Sequence, residues 1–222
     1  MATWRGARLR EALRLYVITD RALARGRPDI EIARAAIAGG ATALQLRWKS
    51  GPLSEALQIG RALRALCREA GVLFVVNDRV DLALALEADG VHVGVSDLPV
   101  PEVRKLVGEA MVVGFSPETL EQALQAEAVG ADYLGVGPVY PTTTKPDAGP
   151  AVGLDHLAQI AGAVGIPVVG IGGITAANAA AVIRAGAVGV AVISAVVGAE
   201  NVREAARQLR AVVDRALAAR SA

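Results

Sequence analysis

The sequence predicts a single-domain (β/α)8 barrel, and three observations carry that prediction. Short runs rich in Val and Ile alternate with Ala/Leu/Arg segments of helical period along the chain. There are eight such pairs, and repeated strand–helix units imply parallel strands joined by right-handed crossovers. At 222 residues the chain is long enough for one well-buried domain and short for two. Eight units in one domain is the number that closes a barrel. An open doubly wound sheet would more often carry a glycine fingerprint after its first strand, and YVITDR at Tyr16–Arg21 has none.

Residues 1–14 read as an N-terminal extension and 15–222 as the barrel. The extension is basic but lacks the unbroken apolar centre of a secretory signal. The first unit is a strand over 15–19 and a helix over 30–38. The second has a strand over 43–47 and a helix over 53–70. In it Gln45, Arg47 and Lys49 alternate with Leu44, Leu46 and Trp48, so extended chain sends the polar three to one face and the apolar three to the helix side. Three long polar groups aimed at a barrel axis are costly unless a polar ligand meets them at its mouth. Otherwise Arg47 and Lys49 have already left the sheet for water.

The third strand, 72–77, ends in Asn77-Asp78 ahead of a helix over 80–88. The fourth, 91–95, ends in Ser96-Asp97 ahead of a helix over 100–107. Asp78 has a local explanation as an N-cap, and Asp97 as a turn residue. Together, at neighbouring strand ends, the two carboxylates suit one Mg2+, which takes few protein ligands and completes its shell with water and phosphate oxygens. The fifth unit has a strand over 111–115 and a helix over 117–129. Ser116-Pro117 between them reads as N-cap and first helical residue, with a ligand-facing hydroxyl as the added alternative.

The sixth strand, 133–139, runs into a loop that gathers Thr142, Thr143, Thr144 and Lys145 before a helix over 154–164. Hydroxyls and an ammonium on a Gly- and Pro-rich segment suit phosphate oxygens. The seventh strand, 167–171, is followed by Gly172-Gly173 and a helix over 176–185. The eighth, 189–193, closes on Ile193-Ser194 before a helix over 202–219. Paired glycines after strand seven and a small residue after strand eight let backbone N–H groups approach a phosphate.

Composition narrows the function classes. Basic and acidic residues nearly cancel to +1, which points to neither nucleic acid nor an anionic membrane. Apolar residues make up 53% and aromatics 3%, so the core is aliphatic. The single cysteine, Cys67, excludes an internal disulfide and reads as a buried small hydrophobe of the cytoplasm. Residues 157–183 carry no charge, yet five glycines and Pro167 break them, which fits a buried strand and helix face rather than a bilayer span. Arg outnumbers Lys by twenty to three. Lys105 reads as solvated, whereas Lys49 and Lys145 both fall in polar clusters. His92 reads as a packed core residue and His156 as an exposed helical one. No general base is well placed, which suits displacement of pyrophosphate by an attacker that already owns a lone pair.

The motifs LYVITD, ALQLRWK, FVVNDRVDLALALEADGVHVG, SD, GFS, GADYLGVGPVYPTTTK, IPVVGIGGI and AVIS, in that order, resemble the thiamine-phosphate synthase family over about Leu15–Ser194. The resemblance implies a transferase. It would join hydroxymethylpyrimidine diphosphate to a thiazole phosphate, through loss of pyrophosphate and capture of a pyrimidine-methyl cation by the thiazole nitrogen. It implies that Gln45, Arg47, Lys49, Asn77, Ser116 and Lys145 bind the pyrimidine diphosphate, with Arg47, Lys49, Ser116 and Lys145 serving the reaction. Asp78 and Asp97 would hold Mg2+, and Thr142–Thr144, Gly172, Gly173, Ile193 and Ser194 the thiazole phosphate. Val95 and Trp48 depart from the family pattern, Val95 where Gln is common and Trp48 where a small polar residue is. A thiazole tautomerase-like isomerase would lack the full diphosphate and metal sets. A non-catalytic phosphate-binding regulatory barrel would have no use for the two carboxylates. Partners are small molecules, and homo-oligomer formation is left open.

Overall fold

A computed structural model describes residues 4–144 and 149–220. Eight parallel strands close into a barrel in sequence order, with β1 (Leu15–Ile18) pairing both β2 (Ala43–Leu46) and β8 (Gly189–Val192). Between these lie β3 (Leu73–Asn77), β4 (Gly90–Gly94), β5 (Val112–Ser116), β6 (Tyr133–Val136) and β7 (Val168–Ile171). Each strand is four or five residues long and almost wholly buried. Continuous apolar runs are what a sheet covered on both faces requires.

The alternation within those runs sorts the core into two layers. Tyr16, Ala43, Leu73, Val75, Val112, Tyr133, Val169 and Ala191 pack inside the barrel. Val17, Leu44, Leu46, Phe74, Val76, Val91, Val93 and Val190 pack between the strands and the surrounding helices. Trp48 joins this outer layer, as its place in the alternation requires, and Arg21 stacks on its ring at 4.7 Å. Cys67 is fully buried there as well.

The helices following the strands are α2 (Asp29–Ala38), α3 (Leu53–Ala70), α4 (Val80–Ala85), α5 (Val100–Val107), α6 (Leu120–Ala128), α7 (Gly153–Ala163), α8 (Ala179–Arg184) and α10 (Val202–Arg220). Two more helices were not expected. In α1 (Gly6–Ala12), Leu9 and Ala12, with Leu13 just beyond, are buried in the inner cluster, so this segment stops the N-terminal end of the barrel. The four-residue α9 (Ser194–Val197) follows β8 directly.

Several expected boundaries move for local reasons. α6 begins at Leu120 rather than Pro117, because Thr119 and Gln122 form a capping box. β6 ends at Val136 rather than Val139. His156 is half-buried on α7, with its Nε2 shut away from solvent, and is not the exposed residue its sequence position suggests.

The abundance of Arg has a structural use. Arg104 reaches the carbonyls of Gly108, Met111 and Gly130 and the Asp132 carboxylate, each at 2.6–2.8 Å. Asp132 in turn accepts the Val113 N–H at 2.7 Å, and Asp89, paired with Arg64, accepts that of Phe74 at 3.0 Å. A planar fork with five donors can tie a loop this way, and an ammonium cannot. Lys105 is exposed and pairs with Glu102.

Asp29, in the first turn of α2, is 6% exposed, and its Oδ1 has no hydrogen-bond partner among the described residues. Burial raises its carboxyl above the ordinary range, with Arg21 opposing the shift. The folded state then holds this proton more tightly than the unfolded chain. Its contribution is therefore fully present below the unfolded value, about 3.9, and is lost as pH rises through the folded value. Asp29→Asn should raise stability against urea at neutral pH, and the gain should vanish in acid below that unfolded value.

Candidate active site

The barrel interior is not filled to its C-terminal end. On three adjacent strands the inward positions alternate with glycine: His92 on β4 lies beside Gly114 on β5, which lies beside Tyr133 on β6. A Cβ at Gly114 would stand 2.2 Å from the Tyr133 ring and 2.4 Å from His92 Nδ1. One at Gly135 would stand 3.1 Å from His92 Cε1 and 3.4 Å from Ser116 Oγ. The missing side chains let His92 and Tyr133 meet and leave a cavity of about 400 Å3 above them.

This cavity gathers residues from all eight strand ends. From β2 and the chain just past it come Gln45, Arg47 and Lys49, and from the ends of β3 and β4 come Asn77, Asp78 and Asp97. Ser116 enters from β5, Thr142 and Thr144 from the loop after β6, and Gly172 and Gly173 from the turn after β7. Ile193 and Ser194 complete the rim. Thr143 lines the adjoining recess, about 910 Å3, which shares Arg47, Lys49, Thr142, Thr144, Gly173 and Ser194 with the cavity. Of the residues expected from sequence, Lys145 alone lies outside the described residues. Val95, 45% exposed, is on the rim.

Among the described residues, Arg47 and Lys49 are the cations of the cavity, and each rests on a carboxylate. Arg47 has left β2, yet it is not in free water. Its guanidinium meets Asp20 at 2.5 Å, with side-chain exposures of 17% and 7%. Its backbone N–H donates to Thr19 Oγ1. Lys49 Nζ meets Asp78 Oδ2 at 2.5 Å in a more open setting, 47% and 25% exposed. Asp78 does not cap α4. Arg79 occupies that position without a side-chain cap, and Asp78 adopts a left-handed backbone, φ 59°, that turns it toward Lys49. Asp97 plays its turn role, accepting the Gly94 N–H at 2.7 Å. Burial first, and the Asp78 charge second, raise the Asp97 carboxyl above its ordinary range.

Ser116 is the last residue of β5 and caps no helix, which corrects the sequence expectation. Its Oγ lies 2.8 Å from His92 Nε2. His92 Nδ1 lies 2.9 Å from Tyr133 Oη, which is 3.0 Å from Tyr16 Oη, and Gln45 Nε2 donates to Tyr16 Oη at 2.6 Å. Burial raises the pKa of both phenols, so they stay protonated at neutral pH. His92 is thus packed and hydrogen-bonded, as expected, but it also lines the cavity. Sequence reasoning missed Tyr16, Tyr133 and Asp20. Strand parity could have found the tyrosines, and the acid closing LYVITD sits where a barrel strand ends.

A phosphate-handling barrel enzyme is the class that the cations, carboxylates, threonines and glycine turns of this mouth define. The sequence profile of the thiamine monophosphate synthase family matches residues 15–196, and the chain belongs to that family. A thiamine-phosphate synthase of Moorella thermoacetica is 56% identical over 91% of this chain and 96% of its own length. One from Pyrococcus furiosus is 52% identical over 94% of this chain and 99% of its own. The solved structure of a Pyrococcus furiosus thiamine phosphate pyrophosphorylase superposes with a TM-score of 0.88 at 49% identity, covering 94% and 99% of the two chains.

Gly114→Ala should overpack the His92–Tyr133 contact and cost about 1–3 kcal/mol in urea unfolding. Gly162→Ala, in α7 with open space around it, should instead gain about 0.5–1 kcal/mol.

Proposed function

We propose that the enzyme transfers the pyrimidine-methyl group of 4-amino-2-methyl-5-hydroxymethylpyrimidine diphosphate to the nitrogen of 4-methyl-5-(2-phosphoethyl)thiazole. The products are thiamine phosphate and pyrophosphate. The observation that carries this reading is the convergence of Arg47, Lys49, Asp78, Asp97 and Ser116 on one cavity that also reaches Thr142, Gly173 and Ser194. Both candidate anion-binding sets therefore line one continuous space.

In this reading Arg47 and Lys49 bind the diphosphate, with Gln45, Asn77 and Ser116 around the pyrimidine. The ammonium and guanidinium stabilise charge as it grows on the leaving pyrophosphate. The thiazole phosphate takes Thr142–Thr144, the Gly172-Gly173 turn and the start of α9. The thiazole nitrogen brings its own lone pair, so no side chain has to remove a proton from it.

Mg2+ fits the residues present. Asp78 and Asp97 line the same cavity, and Asp78 already holds a positive charge in Lys49. Among the described residues no group of three or more His, Cys, Asp or Glu forms a closed metal cage. Two carboxylates with the rest of the shell left to phosphate and water is the arrangement Mg2+ favours. When bound, the ion would neutralise charge on the pyrophosphate. We place the reaction in the cytoplasm, which the buried free thiol of Cys67 supports. Among the described residues no helix is long and apolar enough to cross a membrane.

The direct test mixes the pure protein with both substrates and Mg2+ and follows thiamine phosphate and released pyrophosphate; absence of both products refutes the reading. Lys49→Ala should stay within about 1 kcal/mol of the parent in urea unfolding, since its ion pair is half open to solvent. Its turnover should nonetheless fall about 100-fold or more. Asp78→Asn should weaken Mg2+ binding in the presence of the diphosphate, read by titration calorimetry, and unchanged affinity would remove Asp78 as a ligand.

A further inference from the structure

Five side chains cross the barrel floor in one line: Gln45, Tyr16, Tyr133, His92 and Ser116, each within 3.0 Å of the next. Three of them are interior residues with no role in the reading above, and they come from β1, β6 and β4. Their order of donors and acceptors is constrained. A phenol has one hydrogen to give, and a neutral imidazole has one nitrogen that donates and one that accepts.

Gln45 donates its amide hydrogen to Tyr16 Oη, so the Tyr16 hydrogen is left for Tyr133. Tyr133 then accepts from Tyr16 and gives its own hydrogen to His92 Nδ1. With Nδ1 an acceptor, the His92 proton sits on Nε2 and points at Ser116 Oγ. Ser116 therefore accepts from His92, and its single hydrogen is free for the cavity it lines. Every internal link is satisfied, which a chain with one residue reversed would not achieve.

We propose that Tyr16, Tyr133 and His92 are positioning residues, a hydrogen-bond chain of fixed direction that starts at Gln45 and presents Ser116 to the ligand as a donor. The ligand atom that meets Ser116 must then carry a lone pair, as a pyrimidine ring nitrogen or a diphosphate oxygen does. Both tyrosines are wholly buried, and burial raises their pKa further above neutrality, so each keeps its one hydrogen for the chain. The ligand's identity rests on the proposed function, but the chain itself is a property of the ligand-free protein and is tested there.

The test is 15N NMR of histidine-labelled, ligand-free protein. His92 and His156 are the only histidines, so His156→Gln assigns the signals. The expected result is a neutral His92 with its proton on Nε2; a proton on Nδ1, or an imidazolium at neutral pH, overturns the chain. Gln45→Glu places an acceptor at the head once the introduced carboxyl ionises, as followed by its 13C shift. Every link should then reverse, and the His92 proton should move to Nδ1, three residues away along the chain. Adding Tyr16→Phe to that variant cuts the chain and should return the proton to Nε2. A tautomer unmoved beside the ionised carboxylate, or one that stays on Nδ1 after the cut, shows a local or field effect and refutes transmission through the tyrosines. A wild-type spectrum as expected with no turnover in the assay would leave the chain standing and sink the function.

Discussion

Everything in this molecule follows from the parity of eight short parallel strands closed on themselves. Once the barrel shuts, each strand residue faces either the helices or an interior with room for few side chains. The outward set is filled by aliphatic residues such as Leu44, Leu46, Val91 and Val93, which the helices bury. The inward set is shared between packing and chemistry. At the N-terminal end Leu9, Ala12 and Leu13 fill it. At the other end glycines at 114 and 135 withhold side chains, and the space becomes the cavity. Stability and function thus occupy opposite ends of the same ladder of positions.

Among the described residues, both cations of the cavity are paired: Arg47 lies on Asp20 and Lys49 on Asp78. A diphosphate entering such a site would exchange partners with existing ion pairs rather than meet bare charges. The two pairs are not equivalent. Arg47–Asp20 is largely shut from water, so breaking it would leave the buried Asp20 carboxylate with only the Ala22 and Leu23 N–H groups. Lys49–Asp78 is half open, and its rearrangement costs little. The scarcity of lysine acquires a reason here. Arginine ties loops at the barrel's far end, where its fork spans several carbonyls, while a flexible ammonium suits a partner that has to change.

Local sequence signals failed in instructive places. Ser116-Pro117 has the composition of a helix start, yet the capping box at Thr119 and Gln122 won, which freed Ser116 for His92. Asp78 has the composition of an N-cap, yet its left-handed backbone directs it to Lys49. In both cases a residue type with two uses was claimed by a contact from another strand. His156 is the opposite case, a polar side chain drawn partly inside by helix packing.

The sequence by itself determined the eight strand–helix units, the sorting of Gln45, Arg47 and Lys49 from Leu44, Leu46 and Trp48, and the strand-end placement of the polar residues. Those are short-range properties, written in periods of two and 3.6 residues that a reader of the chain can count. Only the tertiary structure decided that Asp20 would hold Arg47, that α1 would stop the barrel, and that Tyr16, Tyr133 and His92 would join Gln45 to Ser116. Those contacts link residues far apart in the chain, 117 positions in the case of Tyr16 and Tyr133. They depend on strand stagger and on the space left by Gly114, and no periodicity along the chain encodes either.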